Sequence, residues 1–442
     1  EKNNELMEKI VSLAKRRGFV FQGSEIYGGL AGTWDYGPLG AELSHNIKDL
    51  WWDFFVRKHE ENYGLASSVL MPEPVWGASG HLEGFADPMV ECEKCKRRFR
   101  ADHLEEVTED TSKCPECGGA FGEEKAFSQL FPVEMGSVEG SKVNAYLRGE
   151  IAQGMFVNFK NVLDTMRPKL PFGIAQIGKA FRNEIAPREF LFRVREFDLM
   201  EFEYFTREEE WEEHFEKWRK EMWEWIDLVG ITRDSTHELE VSEKDRAHYS
   251  KRTIDFEFDY PFGRKELYGL AYRTDHDLKK HMEHSKVDLR YTDDEGERFI
   301  PHVIEPSFGL GRTVLAVLVS AYREDEVGGE KRVYLAFKPS VAPIKAAVFP
   351  LMKNKPELQA KAREVYADLK KEIPQIMFDD NGNVGKRYRR QDEIGTPFCI
   401  TIDFDTLEDN TVTVRNRDTA EQERVSVDEL QSYIENQIET KG

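Results

Sequence analysis

The chain has 442 residues, a formal net charge of −21 and a hydrophobic fraction of 40%. This length exceeds one ordinary domain, so we expect two or three, and the acidic balance argues against a general polyanion-binding protein while leaving room for a local basic patch. No apolar run approaches the ~20 residues of a membrane span, and the polar start EKNNELMEK does not have the pattern of a signal peptide, so we expect a soluble, cytoplasmic protein without a membrane partner.

The first predicted elements are two helices separated by a glycine-rich segment. Apolar spacing indicates a short helix over residues 5–17, and SEIYGGLAGTWDYGPLG predicts a tight, irregular segment after it. A second helix is predicted from Pro38, because proline is favoured in the first turn. Its apolar residues recur at helical spacing and are Leu39, Leu43, Ile47, Leu50, Trp51 and Phe54. So wide an apolar face fits a core or a subunit interface, and core packing is the commoner use.

Residues 91–125 are predicted to form a small inserted module with a metal site. Four of the five cysteines stand in two CxxC pairs, Cys92 with Cys95 and Cys114 with Cys117, with 18 residues between the pairs. This spacing favours a structural zinc site over unliganded or redox-active thiols. Four thiolates would complete the coordination of zinc. Cys399, alone in the apolar run PFCITID, is expected to be a small buried hydrophobic residue.

Residues 143–205 are predicted to form helix, strand, hairpin and strand. In the second strand, FLFRVREFDLMEFEYF, the side chains alternate between two faces. The mostly apolar face carries Phe190, Phe192, Val194, Met200, Phe202 and Tyr204. The other face carries Arg193, Arg195, Phe197, Leu199, Glu201 and Glu203.

The second face of this strand runs from cations through an aromatic ring to carboxylates. At ~3.3 Å per residue, Phe197 and Glu201 stand roughly 13 Å apart, about the reach of a nucleoside that bears a small group. Arginine suits phosphate and an aromatic ring offers a stacking surface, so the gradient fits a ligand with a phosphate, a flat base and an ammonium. Arg182 and Glu184 lie on one face of the preceding strand, and a hairpin could bring them alongside. A half-exposed sheet with cross-strand ion pairs explains the same pattern equally well.

The next segments are predicted to be a packing helix and a strand-to-helix turn. WEEHFEKWRKEMWEWIDLVG has apolar residues at steps of three and four, which is typical of an amphipathic helix. In IEPSFGLGRTVLAVL, a strand carries Glu305 and Ser307, a tight turn follows at Gly309, and Arg312 opens a helix. An arginine beside the free backbone donors of a helix start suits phosphate oxygens, although a lone GxGR is a weak signal and is neither a Walker nor a dinucleotide motif.

A domain boundary is predicted near residues 323–340, where REDEVGGEKR interrupts the apolar pattern. Beyond it, alternating strands and helices predict a separate α/β domain of about 100 residues. Its segment GKRYRRQDEIG, residues 385–395, places basic side chains around Tyr388. Such a cluster suits an unpaired nucleic-acid segment, whose bases can stack on the ring, and a solvated helix face is equally compatible.

No pairing of a nucleophile with a base stands out in the sequence. The histidines form no HExxH pattern and are expected to be structural or exposed. A reaction that depends on positioning and charge stabilisation, such as attack on a phosphoanhydride, requires neither group.

Together these blocks resemble the class II aminoacyl-tRNA synthetases and, among them, the dimeric glycyl-tRNA synthetase family. The resemblance covers nearly the whole chain in order. Its blocks are RRGFVFQGSEIYGGLAGTWDYGPLG, FADPMVEC, FRADHL, AQGMFVNFKNVL, FGIAQIGKAFRNEIAPREF, REFDLMEFEYF, ELYGLAYRTDHDL, HMEHS, IEPSFGLGR and VGKRYRRQDEIGTPF.

The resemblance implies an α+β fold in which helices flank an antiparallel catalytic sheet. The catalytic domain would span residues 1–333, with a zinc-binding insertion at 90–120, and a C-terminal α/β anticodon-binding domain would span 334–442. The implied enzyme activates glycine with ATP to glycyl-adenylate and transfers it to tRNA(Gly), with Mg2+ and without a covalent enzyme intermediate. It also implies a homodimer whose interface uses the helix that begins at Pro38.

Site residues follow from the resemblance by position. Arg182 and Glu184 would hold the α-phosphate and adenine of ATP, and Arg312 would contact the far phosphates; these three are the expected catalytic residues. Phe197 would stack on adenine and Glu266 would coordinate Mg2+. The other expected nucleotide-binding residues are Asn183, Phe192, Arg193, Arg195, Leu267 and Gly309. Those expected around the amino acid are Arg100, Glu150, Phe197, Glu201, Glu305, Ser307 and Gly309.

The choice of glycine is also implied, because clustered carboxylates select an α-ammonium and a crowded site excludes larger side chains. The chain departs from the family pattern at three positions near this cluster. LRGEIAQG stands where the family usually reads LRPETAQG, so Gly149 and Ile151 replace proline and threonine. Leu199 stands where glutamine is common.

Overall fold

The computed structural model of the protein describes residues 2–108, 110–136, 143–247 and 249–441. Its α-helices are α1 (Lys2–Arg16), α2 (Pro38–Trp52), α3 (Glu73–Ala78), α4 (His81–Gly84), α5 (Ala152–Val157), α6 (Phe159–Met166), α7 (Trp211–Val229), α8 (His276–Ser285), α9 (Leu310–Ala321), α10 (Pro356–Glu372), α11 (Val384–Ile394), α12 (Phe404–Asp409) and α13 (Leu430–Lys441). Within these ranges, no helix is both long and apolar enough to cross a membrane.

The strands of the first half are β1 (Val20–Gln22), β2 (Trp34–Tyr36), β3 (Asn62–Gly64), β4 (Leu70–Pro72), β5 (Ala86–Glu91), β6 (Arg98–Arg100), β7 (Lys125–Ser128), β8 (Phe131–Met135), β9 (Val143–Leu147), β10 (Phe172–Phe181) and β11 (Glu196–Thr206). Those of the second half are β12 (Thr236–Glu240), β13 (Arg252–Tyr260), β14 (Gly263–Thr274), β15 (Tyr291–Thr292), β16 (Arg298–Phe299), β17 (His302–Gly309), β18 (Tyr322–Val327), β19 (Glu330–Leu335), β20 (Ala346–Pro350), β21 (Ile376–Phe378), β22 (Phe398–Ile402), β23 (Thr411–Asn416) and β24 (Gln422–Ser426).

A seven-stranded sheet organises the larger part of the chain. Its strand order is β12-β13-β14-β17-β11-β10-β3, and every neighbouring pair is antiparallel except β10 with β3. β11 lies between β10 and β17, with Phe181 opposite Glu196 and Glu201 opposite Ser307. The predicted α+β class, with antiparallel strands flanked by helices, is confirmed.

Both faces of this sheet are covered, and the alternation predicted for β11 explains how. Met200, Phe202 and Tyr204 point into the main core, where they pack with α2, α7 and α9. Leu199 and Phe205 point to the other side, into a cluster formed with α5, α6 and α8. Glu201 and Glu203 share that second face and are buried, so the alternative of a half-exposed sheet with cross-strand ion pairs is wrong for this part of β11. At the start of the strand, Lys179 of β10 pairs with Glu196 at 3.2 Å and with Asp198 at 3.7 Å.

The strand β11 is shorter than the sequence predicts. Glu189 and Phe190 have φ angles of 58° and 55°, in the left-handed region, so the chain turns there and the strand begins only at Glu196. Arg193 therefore lies in a loop, bridged to Arg188. Similarly, β10 ends at Phe181, so Arg182 and Glu184 follow the strand instead of lying on one of its faces.

The helix predicted from Pro38 is α2, and its apolar stripe packs inside the chain. Leu43, Ile47 and Trp51 are fully buried in the main core, while Leu39 and Leu50 pack partly buried against it. A contact between this helix and a second chain stays a prediction.

The C-terminal part forms its own layered unit. Its sheet has the order β21-β20-β22-β23-β24, with the first three strands parallel and the last two antiparallel. Apolar residues of this sheet form a separate core with α10 and α13. The predicted α/β arrangement is confirmed. The hairpin of β18 and β19 occupies the segment where the boundary is expected, and the division into 1–333 and 334–442 stays a prediction.

The basic segment of α11 is used for internal contacts. Arg387 is buried and donates to the carbonyl oxygens of Pro350, Asp380 and Gly382. Arg390 pairs with Asp379 at 2.7 Å, and Arg389 pairs with Glu330 of the β18–β19 hairpin. Arg387 is therefore not part of a solvated face, whereas Arg389 is exposed and Arg390 is partly exposed. Contact of this segment with nucleic acid stays a prediction. Lys386 is exposed.

We predict that Asp392 stabilises the junction between α11 and β19. Its buried carboxylate accepts from Arg415 at 2.8 and 3.0 Å and from Arg332 at 3.3 Å. Asp392→Ala would leave buried guanidinium charge without its partner and should lower the free energy of unfolding by about 3–5 kcal/mol. Urea unfolding followed by circular dichroism measures this loss.

The matched control is Asp368→Ala, because Asp368 pairs with Lys371 at 2.8 Å and both side chains are largely exposed. An exposed pair contributes about 0–1 kcal/mol, so this variant should unfold near the wild-type midpoint. Equal, small losses in both variants would contradict the assignment.

Candidate active site

A cavity of about 300 Å³ lies against β11, β14 and β17. Most of the residues predicted from the resemblance line it, namely Arg100, Arg182, Glu184, Phe192, Arg193, Phe197, Glu201, Glu266, Leu267, Ser307, Gly309 and Arg312. Elements far apart in the chain therefore meet at one place. Glu150, Asn183, Arg195 and Glu305 are not among the lining residues.

Two arginines supply positive charge to one part of the cavity. The guanidinium of Arg182 lies between the rings of Phe85 and Phe197, at 5.2 and 5.5 Å from their centroids, and its Nε donates to the Gly149 carbonyl at 3.1 Å. Arg312, near the start of α9, lies 4.2 Å from the centroid of Phe192 and donates to the Glu266 carbonyl oxygen at 3.1 Å. Both arginines therefore present charge to an anion.

Glu184 and Arg193 lie between these cations. Glu184 is buried, and its Oε2 has no hydrogen-bond partner among the described residues, so it can accept from a ligand amine. Burial lowers the pKa of the Arg193 guanidinium, with Arg100, Arg188 and Arg312 acting in the same direction and Glu184 opposing them. An anion that binds among crowded cations of this kind lowers their electrostatic free energy.

The loop that carries these residues is held by Arg195 and Asn183. Arg195 donates to the carbonyl oxygen of Glu184 at 2.9 Å and to that of Ala31 at 2.6 Å. The backbone N–H of Asn183 donates to the Gln129 carbonyl at 2.8 Å. We predicted direct nucleotide contacts for both, but the Arg195 guanidinium is occupied by backbone carbonyls, so we expect it to position the loop.

Glu201 lines the cavity beside Ser307, and other carboxylates adjoin it within the core. Ser307 donates from Oγ to Oε1 of Glu201, and the other oxygen of Glu201 has no partner in the described chain. Burial and the charge of Glu305 raise the pKa of Glu201 to about 8. Burial alone would also raise the pKa of Glu150, but His81 and Arg273 lower it well below its usual range. A cationic ligand would stabilise the ionised form of Glu201.

Arg273 is a central residue of this cluster that the sequence interpretation missed. It is fully buried, binds Asp277 through two hydrogen bonds of 2.8 and 2.9 Å, and donates to Glu305 at 2.8 Å. Asp277 in turn accepts from Gln153, which also donates to Glu150. The sequence feature that could have identified Arg273 is its position as a charged residue inside the apolar run GLAYRTD. Its partners come from other elements, so the sequence could not name them.

The cluster has an excess of carboxyl groups. Glu201, Glu203, Glu305, Glu150 and Asp277 surround one arginine, and Glu203 is fully buried with no partner for either carboxylate oxygen among the described residues. Such an excess favours an added positive charge, which is the property that an ammonium-binding site needs.

A second carboxyl pair lies beside Arg312. Glu266 is half exposed, with Oε2 at 3.3 Å from a guanidinium nitrogen of Arg312. Burial, followed by the charges of Glu266 and Glu257, raises the pKa of Asp255 to about 7. Oxygen ligands with this surplus of negative charge fit a hard divalent cation. Sequence interpretation identified Glu266 but not Asp255.

The inserted module brings its four cysteines together. One sulfur atom from each of Cys92, Cys95, Cys114 and Cys117 lies within 4.8 Å of the others, as the spacing predicts. The N–H of Cys95 lies 3.5 Å from the Cys92 sulfur and contributes to lowering the pKa of that thiol to about 6. This arrangement could hold zinc. The prediction that Cys399 is a buried hydrophobic residue is confirmed.

The same module forms part of the cavity wall. Arg100 follows β5 and the first cysteine pair, lines the cavity and pairs with Asp87 at 3.1 Å and with Asp102 at 2.7 Å. Gln129, at the end of the module, also lines the cavity and donates to Asp87. The module therefore contributes directly to the site.

Comparison with known proteins gives close similarity over the whole chain. A family profile described as "tRNA synthetase class II core domain (G, H, P, S and T)" matches residues 131–321, and one described as "Anticodon binding domain" matches residues 345–437. The chain is 49% identical to the "Glycine--tRNA ligase" of Caldanaerobacter subterraneus subsp. tengcongensis, over 98% of both chains. It is 49% identical to that of Clostridium acetobutylicum, over 99% of this chain and 100% of the relative, and 49% identical to that of Thermobifida fusca, over 98% of both.

We predict that Glu203 makes the stability of the protein depend on pH. Burial and the charge of Glu305 raise its pKa well above the usual range, so from about pH 4.5 upward the unfolded chain releases a proton that the folded chain keeps. Stability therefore falls as pH rises through this window. Glu203→Gln removes that term, so its stability relative to wild type should grow by up to about 1.4 kcal/mol per pH unit.

Urea unfolding of both proteins between pH 5 and pH 8 measures the effect. Glu196→Gln, on the exposed end of the same strand, serves as the control and should show no such trend. A difference between Glu203→Gln and wild type that does not change with pH would contradict the prediction.

Proposed function

The chain belongs to the glycine–tRNA ligase family, and from this premise we propose that it activates glycine with ATP to glycyl-adenylate and transfers the glycyl group to tRNA(Gly). One observation supports the proposal: a single cavity is lined by Arg182 and Arg312, which suit an anion, and by Glu201, whose carboxylate adjoins a buried excess of carboxyl groups that suits an ammonium. Glycyl-adenylate likewise carries a negative phosphate at one place and a positive ammonium at another, so its charges match those of the cavity.

In the activation step, a carboxylate oxygen of glycine attacks the α-phosphorus of ATP. The bond to the bridging oxygen breaks, and pyrophosphate leaves with the electron pair. Arg182 would stabilise the charge that develops at the α-phosphate, and Arg312 would hold the departing phosphates. Phe197 would stack on adenine and the free oxygen of Glu184 would accept from its amino group. No protein atom is attacked, so the enzyme forms no covalent intermediate.

Mg2+ would be held by Glu266 and Asp255, whose raised pKa fits a nearby cation. When bound, the ion neutralises phosphate charge. These two carboxyl groups lie next to Arg312, where the β- and γ-phosphates of ATP would bind.

Glycine would be recognised through its ammonium. Glu201, Ser307 and Glu150 would accept its hydrogen bonds, while Arg273 keeps Glu305 and Asp277 in place. An amino acid with a side chain must fit the same enclosed part of the cavity, so bulk excludes it.

In the transfer step, a ribose hydroxyl at the end of tRNA(Gly) attacks the carbonyl carbon of the adenylate, with release of AMP and a proton. The C-terminal unit, which matches an anticodon-binding domain, would bind the anticodon. We place this reaction in the cytoplasm.

A homodimer is part of the same proposal. Ile26 and Tyr27, in the glycine-rich segment before α2, are 89% and 87% exposed, and Leu30 is more than half exposed. Apolar side chains this exposed on one short loop fit contact with a second copy of the chain.

The function is tested by exchange of pyrophosphate into ATP. Glycine should support exchange, and alanine and serine should support at least about tenfold less. Glu150→Gln should raise the KM for glycine about tenfold or more, because a hydrogen bond that an ammonium donates to a carboxylate contributes about 1.5–3 kcal/mol. Its KM for ATP should stay within about twofold of wild type.

Glu83→Gln, an exposed residue of α4, is the control and should leave both KM values unchanged. Absence of exchange with every amino acid would exclude the function, and exchange without charging of tRNA(Gly) would indicate a ligase with another acceptor. An unchanged KM for glycine in Glu150→Gln would remove the role of Glu150.

We further propose that the four cysteines of the insertion hold a structural zinc ion. Metal analysis of the purified protein should find about one zinc per chain, and Cys114→Ser should lose most of it because three thiolates remain. Cys399→Ser is the control and should retain the metal, since Cys399 lies in the C-terminal sheet. Zinc content that is equal in both variants would contradict the site.

A further inference from the structure

The short helix α4 and the residue after it lie directly behind the active site. α4 has four residues, beginning at His81, and Phe85 follows it. Neither His81 nor Phe85 lines the cavity, yet each touches a residue with a proposed role there. The two are four residues apart, so they stand on one side of the turn.

Phe85 contacts the arginine proposed to bind the α-phosphate. Its ring centroid lies 5.2 Å from the Arg182 guanidinium, on which Phe197 provides a second ring at 5.5 Å. No carboxylate forms an ion pair with Arg182 in the described part of the chain, and its guanidinium donates a hydrogen bond to the neutral carbonyl of Gly149. Arg182 is thus held by aromatic faces that orient its charge without neutralising it.

His81 contacts the glutamate proposed to bind the ammonium. Its Nε2 lies 3.2 Å from Oε2 of Glu150, and its Nδ1 lies 2.8 Å from the Ser79 hydroxyl, which is itself 3.2 Å from the Trp76 carbonyl. The only hydrogen-bond role open to a carboxylate oxygen is that of acceptor, so the proton on Nε2 faces Glu150. This contact fixes one carboxylate oxygen, while Gln153 donates to the other.

His81 and Phe85 also touch each other. Their rings meet edge to face, with centroids 5.1 Å apart. Contacts thus run without interruption from Arg182 through Phe85 and His81 to Glu150. The carbonyl oxygen of Phe85 accepts from the Gln129 N–H at 3.0 Å, which ties this turn to the root of the inserted module.

We propose that His81 and Phe85 form a positioning element for both parts of the active site, in which Phe85 orients Arg182 for the phosphate and His81 orients Glu150 for the ammonium. The inference rests on the proposed function and adds two positioning residues to it. Because the two contacts are separate, the two residues should affect different substrates.

The absence of a side chain at Gly149 makes room for the Phe85 ring. A Cβ atom built on Gly149 would lie 2.9 Å from a ring carbon of Phe85, closer than real side chains approach each other. A side chain at position 149 must therefore displace the Phe85 ring. This chain has glycine here, which lets Phe85 and the Gly149 carbonyl hold Arg182 together.

The test is pyrophosphate exchange with ATP and glycine varied separately. Phe85→Leu should raise the KM for ATP about 3- to 30-fold and leave the KM for glycine within about twofold, because leucine keeps the apolar bulk but has no π face. His81→Leu should do the reverse, with about a tenfold higher KM for glycine. His81→Gln should recover most of the loss, since its amide can donate to Glu150.

Two further experiments distinguish a positioning role from a general loss of structure. Leu82→Ala lies in the same turn, is partly exposed and should leave both KM values unchanged. Replacement of Phe85 by 4-fluoro- and then 3,4-difluorophenylalanine keeps the ring shape and weakens its π face, so the KM for ATP should rise in steps. The fluorinated series and His81→Gln carry the test if a leucine variant fails to fold.

Equal changes of both KM values in each variant, or no change of the KM for ATP across the fluorinated series, would overturn the inference while wild-type exchange leaves the proposed function intact. If the wild-type protein shows no exchange with glycine, the proposed function fails and this inference fails with it.

Discussion

The excess of buried carboxyl groups around Arg273 is the constraint on which the active site depends. One guanidinium holds Asp277 and Glu305 through three short hydrogen bonds, and Glu201 and Glu203 lie on one face of β11, the strand beside that of Glu305. Burial, followed by the charge of Glu305, raises the pKa of Glu201 to about 8. A cation beside these carboxyl groups would stabilise their ionised forms, which is why we propose that the cluster binds an ammonium.

The rest of the site gains its form from elements that converge on β11. That strand brings Phe197 and Glu201 to one face, and Ser307 of β17 lies directly opposite Glu201. Arg100 of the inserted module and Gln129 just after the module form part of the wall, while Phe85 contacts Arg182 and His81 contacts Glu150. A structural metal in the module would therefore stabilise residues that touch the cavity, and the module is best regarded as part of the catalytic unit.

Sequence predicted the local features of this arrangement well. The alternation within β11, the apolar stripe of α2 and the four-cysteine cluster all depend on short-range periodicity or spacing, which the chain carries locally. The turn predicted between Gly309 and Arg312 is wrong, because β17 ends at Gly309 and α9 begins at Leu310. Side-chain roles that depend on distant contacts were harder. Arg195 and Arg387 look available in sequence, yet backbone carbonyls far along the chain occupy them. Arg273, His81 and Phe85 gave weak signals, since their partners come from separate elements, and the left-handed residues Glu189 and Phe190 shortened β11 without a glycine to mark the turn.

The central claim is that opposite parts of one cavity bind the phosphate and the ammonium of a single activated amino acid. A crystal structure of the protein with a non-hydrolysable glycyl-adenylate analogue, a sulfamoyl adenosine, tests it most directly. The account predicts the analogue's sulfamoyl group at Arg182, its adenine on Phe197, and its ammonium within hydrogen-bond distance of Glu201 and Ser307. An ammonium that lies away from these carboxylates, or an adenine bound outside this cavity, would contradict it.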